Sequence, residues 1–160
     1  MAEIDLEFKS KDVEKFFKNL SKNKDGISKL EKNFVVGIAA IAYKNVIRHF
    51  ENEKGPNGSW KDWSPGYTKL MKKIGMQDNK ILQFNGKLKQ SINPNEPDYR
   101  TSPGRITLFT NAETSDGFPY AFAHNTGGPT LPKREFMWLD NKTQENLAKV
   151  TLGYLLGTEK

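Results

Sequence analysis

The stretch FVVGIAAIAYKNVI, residues 34–47, is the most apolar run in the chain and decides its fold class. Apolar residues in and around this run recur every three to four positions, which is the period of one helical face. The run is shorter than the roughly 20 apolar residues that a membrane span needs, and Lys44 interrupts it. We therefore predict a long, sandwiched core helix over residues 27–52 and no membrane segment. Gly37 within the run predicts close approach of another element.

Segments on either side of this helix predict a small sheet. In EIDLEF (residues 3–8), apolar residues alternate with acidic ones. RITLFT (105–110) contains β-branched residues and shows the alternation typical of a strand. REFMWL (134–139) is predicted to be a further strand. Strands among long terminal helices indicate the α+β class. We expect a single domain over residues 1–160, with a long N-terminal helix and a C-terminal helix packed on a small, mostly antiparallel sheet.

Shorter helices are predicted between these elements. One covers residues 13–20, and NKDG (23–26) forms the turn after it. Ser64 before Pro65 is typical of a helix start. This helix is expected to end at Gly75 and to face the core with Tyr67, Leu70, Met71 and Ile74. Asn85 is expected to cap a helix over 86–92, and PYAFAH (119–124) to form a strand end or a helical turn. The last helix is expected to be capped by Asp140 or Asn141 and to face the core with Leu147, Val150, Tyr154 and Leu155.

The composition limits the chemistry of the chain. Its 160 residues include no cysteine, which excludes disulfides and thiol catalysis and fits a reducing compartment. The N-terminus is charged from its third residue and lacks the apolar core of a signal peptide. The net charge is +6, and residues 69–89 hold six lysines against one acidic residue. Such a segment attracts phosphate without reading sequence, or it is simply a solvated surface. The lysines are Lys69, Lys72, Lys73, Lys80, Lys87 and Lys89.

The two histidines do not form a recognisable active site. A general base needs an orienting partner and a groove, and the chain has no G-x-S-x-G nucleophile turn. We expect His124 to be structural, its ring hydrogen-bonded to backbone at a corner shaped by Gly127 and Gly128. His49 is expected at a solvent-facing helix end, because His49 and Glu53 alone do not complete a metal site. No catalytic residue, metal or cofactor is predicted. A metal-dependent hydrolase using both histidines is a further hypothesis.

Aromatic residues concentrate in two places, a turn near residue 60 and the segment 118–138. They are candidates for a contact with a second subunit or a partner protein, and the alternative is a small core beneath loops. The candidates are Trp60, Trp63, Phe118, Tyr120, Phe122, Phe136 and Trp138.

Four stretches in order give the chain a family resemblance over about residues 48–155. RHFENEKGPNGSWKDWSPGYTKL, KILQFNGKLKQSI, PYAFAHNTGG and LPKREFMWL together resemble the virion morphogenesis, or tail completion, proteins of Mu-like and P2-like phages. The sequence departs from the family pattern in three places: Asn125 replaces the usual glutamine, the link before Tyr120 is longer, and WKDWSP lacks the common proline-leucine. The matching positions are Arg48, Phe50, Pro56, Gly58, Trp60, Trp63, Ser64, Pro65, Thr68, Ile81, Leu82, Gly86, Leu88, Ser91, Tyr120, Ala121, His124, Gly127, Pro132, Arg134 and Phe136.

The resemblance implies a structural protein and not an enzyme. Such a protein is expected to form a homo-oligomeric ring at the neck or the head-proximal end of the tail, after assembly in the host cytoplasm. Its expected partners are its own copies and other neck, connector or tail-tube proteins. The lysines of residues 69–89 would then face double-stranded DNA in a channel. The alternative is a module that binds nucleic acid independently of sequence.

Overall fold

The computed structural model describes residues 1–7, 29–102 and 105–155, and it has the predicted α+β fold with a small antiparallel sheet. The predicted helix over 13–20 and turn at 23–26 lie outside the described residues. In chain order the elements are β1 (Ala2–Glu7), α1 (Lys29–Asn52), β2 (Lys54–Gly55), β3 (Gly58–Ser59), α2 (Pro65–Lys73), α3 (Lys87–Gln90), β4 (Tyr99–Ser102), β5 (Arg105–Thr110), α4 (Tyr120–Thr126) and α5 (Asn141–Leu155).

The described residues form two compact units that alternate along the chain. The sheet unit consists of the described parts of residues 3–45, 93–109 and 139–160, and the loop unit consists of residues 1–2, 46–92 and 110–138. Helix α1 contributes residues to both units. The expectation of a single domain stays a prediction.

The sheet unit contains a three-stranded sheet with the order β1-β5-β4. Strands β4 and β5 pair antiparallel, from Tyr99 opposite Leu108 to Ser102 opposite Arg105. The alternation in the sequence becomes an alternation of burial, because Ile4 on β1 is buried while its acidic neighbours are exposed. On the exposed side Arg105 forms ion pairs with acidic residues of β1, which hold the two strands in register.

Helix α1 is fixed in the sheet unit by polar contacts as well as by its apolar face. The hydroxyl of Tyr43 lies 3.0 Å from the carbonyl oxygen of Asp98 and 2.6 Å from that of Phe109. Burial raises the pKa of Tyr43, so this hydroxyl remains a donor. The Asn45 amide donates to the Asp140 carboxylate over 2.5 Å. That carboxylate also accepts from the backbone N–H of Thr143 over 2.7 Å, which confirms Asp140 as the cap of α5.

One face of α1 is exposed, so the expectation of a sandwiched helix was wrong for that face. Gly37 is exposed, and a Cβ added there would meet no atom of the described residues within 4 Å. Within residues 1–7, 29–102 and 105–155, the expected close approach of another element is therefore not found at this position. Lys44 is exposed on the same helix, while Ile38 and Ala42 are fully buried.

Replacing Gly37 with alanine is expected to stabilise the protein by about 1 kcal/mol, because alanine is the better helix former and no described residue obstructs its methyl group. Chemical denaturation followed by circular dichroism measures this change. Ala39→Gly on the buried side of α1 is the matched opposite, expected to destabilise. A loss of stability in Gly37→Ala would show that this position is covered.

Helix α2 starts as predicted, but only part of its apolar side is buried. The Ser64 hydroxyl accepts the Tyr67 N–H over 3.3 Å, and Pro65 occupies the first turn. Met71 is fully buried, whereas Tyr67, Leu70 and Ile74 are 38%, 49% and 45% exposed. The predicted inward face is thus correct only for Met71. The helical spacing correctly grouped these four residues on one face of α2, but no element of the described chain covers the whole of that face.

Within the described residues, no helix is long and apolar enough to cross a membrane.

Candidate interaction cleft

The end of α1 is held by the segment that follows α2. The Gln83 side-chain amide donates to the carbonyl oxygen of Phe50 over 2.8 Å. The Lys80 ammonium donates to the carbonyl of Glu51 over 2.6 Å, and Lys89 pairs with the Glu51 carboxylate over 3.2 Å. Cations at a helix C-terminus satisfy its free carbonyls and complement its dipole. Two of the six candidate lysines are therefore engaged in holding the fold.

Asn125 organises the segment after α4. Its side-chain oxygen accepts the backbone N–H groups of Phe136 and Met137 over 3.0 and 2.9 Å. The carbonyl oxygen of His124 accepts the N–H of Arg134 over 2.8 Å. Residues 134–139 therefore form no strand, and the strand prediction for REFMWL was wrong. Their backbone donors bind a side chain and a helix end instead of a neighbouring strand.

Arg134 and Trp60 join this segment to the turn near residue 60. The Arg134 guanidinium is almost completely buried and donates to the carbonyl oxygens of Lys61 and Asp62 over 3.0 and 3.1 Å. The Trp60 indole N–H donates to the carbonyl oxygen of Glu135 over 3.0 Å. The arginine and the tryptophan that carry the family resemblance are thus used to bind backbone.

Gly127 ends α4 in a conformation that favours glycine. Its φ is +75°, and a Cβ there would lie 2.9 Å from the backbone nitrogen of Lys133. Gly128 does not have a positive φ, and a Cβ there would meet no described atom within 4 Å. Gly127 thus has the unusual backbone angle expected of it, whereas the expectation of such an angle at Gly128 was wrong.

These contacts surround an open cleft of about 1210 Å³ within the loop unit. Its lining includes the aromatic and apolar residues Trp63, Tyr67, Leu82, Phe84 and Tyr120. It also includes charged residues, namely Lys61, Lys80, Lys87 and Arg134 and the acidic Asp62 and Glu113. Leu82 has a φ of +62°, a strained conformation for a residue with a branched side chain.

His124 lines this cleft, but its ring does not make the predicted hydrogen bond. Nδ1 is buried, and no described residue lies within hydrogen-bond distance of it. Burial, and then the charge of Arg134, lower the pKa of His124 below its ordinary value of 6.5. The ring is therefore held neutral near neutral pH, and the backbone of His124, not its ring, fixes the corner.

The protein is expected to lose stability as the pH falls below about 6.5, because the unfolded chain binds a proton at His124 more readily than the folded chain does. The contribution of the neutral ring is fully present above 6.5 and decreases through the window down to the lowered pKa. Urea denaturation of the wild type and of His124→Gln across this window measures it. An identical pH dependence in the variant would contradict the assignment to His124.

His49 is buried, so its prediction as a solvent-facing residue was wrong. Its ring stacks on Trp138 with centroids 4.2 Å apart, and Nε2 lies 3.1 Å from the Trp138 carbonyl oxygen. Within residues 1–7, 29–102 and 105–155, no group of three or more metal-ligating side chains comes together. The helical position of His49 did not reveal this packing, because its partner is distant in sequence.

The seven candidate aromatic residues do not share one surface. Trp60 and Phe136 are buried, and each packs against Phe50 with ring centroids 5.5 and 5.1 Å apart. Phe118 and Phe122 are 53% and 46% exposed. Trp63, Tyr120 and Trp138 are partly buried. Some of these aromatic residues therefore belong to a small core, as one alternative predicted, and others lie on an exposed surface.

The remaining candidate lysines differ in their surroundings from Lys80 and Lys89. Lys69, Lys72 and Lys73 are exposed on α2, and Lys87 is exposed at the start of α3. Because these four lysines are exposed to solvent, their positions fit both hypotheses, a surface that faces DNA and a surface that keeps the protein in solution.

The chain was compared with protein-family models, curated proteins and solved structures, and none of them matches it.

Proposed function

We propose that the chain is a structural protein of a phage neck or head-proximal tail end, where it acts as an oligomeric ring in tail completion or head–tail joining. The observation that carries this proposal is the convergence of the family-like stretches in one compact unit. Trp60, Asn125 and Arg134 come from separate stretches, and each holds the backbone of another segment. Together these hydrogen bonds fix the segments that surround the cleft.

The side-chain chemistry around the cleft suits contact with other macromolecules better than turnover. Its lining combines aromatic residues with more basic than acidic ones, which is typical of surfaces that bind proteins or phosphate. The buried arginine uses its donors on two carbonyl oxygens of the fold. A ring follows when identical copies meet head to tail and the rotation closes.

Native mass spectrometry and negative-stain images of the purified protein, alone and with isolated tail tubes, test the proposal. We expect a closed ring, or a ring that forms on the end of the tube. Deletion of the gene is expected to leave heads and tails unjoined. A protein that remains monomeric and binds neither tails nor connectors would refute the proposal, as would normal virions without the gene.

Sequence-independent binding of nucleic acid is the second candidate, favoured by the exposed lysines of α2. This function predicts binding to free duplex DNA that weakens steeply as salt increases. Fluorescence anisotropy with duplex DNA, for the wild type and for a variant with Lys69, Lys72 and Lys73 changed to glutamine, measures it. A chain that binds no duplex at low salt does not have this function.

A further inference from the structure

We propose that the cleft of the loop unit binds the bases and phosphates of single-stranded nucleic acid. Such binding goes beyond the proposed assembly of a ring and does not depend on it. It also differs from the second candidate function, in which exposed lysines of α2 would contact the outside of a duplex.

Four aromatic side chains from four different segments line the cleft. Trp63 precedes α2, Tyr67 lies on α2, Phe84 precedes α3 and Tyr120 begins α4. Solvent reaches these rings, because Tyr67 and Phe84 are 38% and 48% exposed and the other two are only partly buried. Every nucleobase has a flat face that stacks on such a ring, whatever its sequence.

Two of these rings are already held in place. The centroids of Trp63 and Tyr67 lie 5.5 Å apart with their planes at 75°, which is an edge-to-face contact. Between them, the Ser64 hydroxyl accepts the Tyr67 N–H and fixes the start of α2. Rings that are ordered before binding lose little side-chain entropy when a base stacks on them.

The cations of the cleft are not neutralised by carboxylates of the described chain. Lys61 and Lys87 are exposed and form no ion pair with a described residue. Lys80 and Arg134 donate to carbonyl oxygens, which carry no net charge. The lining holds these four basic residues against two acidic ones, so its net charge attracts phosphate.

The wall of the cleft also contains hydrogen-bonding capacity that the described fold does not use. His124 lines the cleft, and its buried Nδ1 has no partner among the described residues. Besides burial, the charge of Arg134 lowers the pKa of His124, so the guanidinium lies near this ring. A base stacked on Tyr120, one turn before His124 on α4, brings the donors and acceptors of its edge close to both groups.

The size of the cleft indicates a strand and not one free nucleotide. Its volume of about 1210 Å³ exceeds the roughly 300–1,000 Å³ typical of small-ligand pockets. A single base has two faces and occupies at most two of the four rings. Outside the lining, Lys69 and Lys72 are exposed on α2 and can contact the phosphates that follow along a strand. The bases of a duplex stack on one another, so only an unpaired strand offers its faces to these rings.

Fluorescence anisotropy with a labelled single-stranded oligonucleotide of about 12 nucleotides tests the proposal. The stacking variant carries Tyr67→Ala and Phe84→Ala. Its matched control carries Phe122→Ala and Leu152→Ala, two exposed apolar residues outside the lining. All four side chains are exposed, so both variants should fold, and circular dichroism checks this. A conservative variant with Tyr67→Phe and Phe84→Tyr keeps both rings.

We expect the wild type to bind this oligonucleotide at low salt and to bind it more tightly than a duplex of the same length. The stacking variant should bind about a hundredfold more weakly, because each lost base–ring contact costs about tenfold. The control and the conservative variant should bind like the wild type. Tryptophan fluorescence should also fall on binding, since Trp60 and Trp63 both line the cleft.

Changing Lys61 and Lys87 to glutamine is expected to flatten the salt dependence of binding. The logarithmic slope should fall by about 0.7 for each phosphate contact that is lost. The variant with Lys142→Gln and Lys149→Gln, at exposed positions of α5, is the matched control and should keep the wild-type slope. An unchanged slope in the Lys61 and Lys87 variant would show that no phosphate lies at these lysines, which overturns the placement of the strand.

Four further results would overturn the proposal. An oligonucleotide that does not bind at low salt removes the site. Equal binding of single strand and duplex that is lost on changing Lys69, Lys72 and Lys73 to glutamine, but not in the stacking variant, assigns the binding to the surface of α2. Adenosine monophosphate that binds as tightly as the strand reassigns the cleft to a free nucleotide. If the stacking variant binds the oligonucleotide normally but no longer self-associates in native mass spectrometry, the cleft is a subunit contact and the proposed function still stands.

Discussion

Replacing Phe136 with alanine is expected to lower the free energy of unfolding by about 4 kcal/mol, the usual loss for a fully buried phenylalanine. Phe136 has no exposed surface and packs against Phe50 with ring centroids 5.1 Å apart. Its removal leaves a cavity that the rigid surroundings cannot fill. Trp60 binds the backbone before Phe136, and Asn125 binds the N–H groups of Phe136 and Met137, so the backbone is held on both sides.

Phe118→Ala is the matched control for this prediction. Phe118 is more than half exposed, so its truncation is expected to change stability by about 0.5 kcal/mol or less. Urea denaturation monitored by tryptophan fluorescence measures both variants, since Trp60 lies beside Phe50 in the same cluster. Equal losses in the two variants would show that Phe136 is not a core residue.

Replacing Asn125 with alanine is expected to destabilise the protein by about 3 kcal/mol, because two backbone donors lose their acceptor at once. The N–H groups of Phe136 and Met137, both buried residues, bind the same Asn125 oxygen. Without it, the segment must open to water or leave both donors unsatisfied. The loss should also loosen the wall of the cleft, because Arg134 lies in the same segment.

Asn125→Asp is the control, since it keeps an oxygen at the same place. We expect it to retain most of the stability, with a loss of about 1 kcal/mol or less. Chemical denaturation gives the free energies, and hydrogen exchange of the Phe136 and Met137 amides reports the bonds themselves. Unchanged exchange in Asn125→Ala would contradict the role of this side chain.

The candidate site could be predicted only in part. The sequence indicated the segments that form it, the helix start at Ser64, the corner at Gly127 and a set of aromatic candidates. It did not indicate that Asn125 binds the backbone of Phe136 and Met137. That interaction pairs residues eleven and twelve positions apart, and no local propensity contains it. The same limit explains the wrong strand at residues 134–139, where a side chain took the place of a strand partner.

What the sequence alone determined is the set of elements whose causes are local. The spacing of apolar residues specified α1 and β5, the Ser64–Pro65 pair specified the start of α2, and the last helix start was narrowed to Asp140 or Asn141, of which the structure shows Asp140. Tertiary structure alone decided which faces are covered. It left Gly37 and Tyr67 exposed and buried His49, although the sequence predicted close contact at Gly37, an inward Tyr67 and a solvent-facing His49. The physical reason is that helical spacing groups residues on a face, while burial depends on distant segments that pack against it.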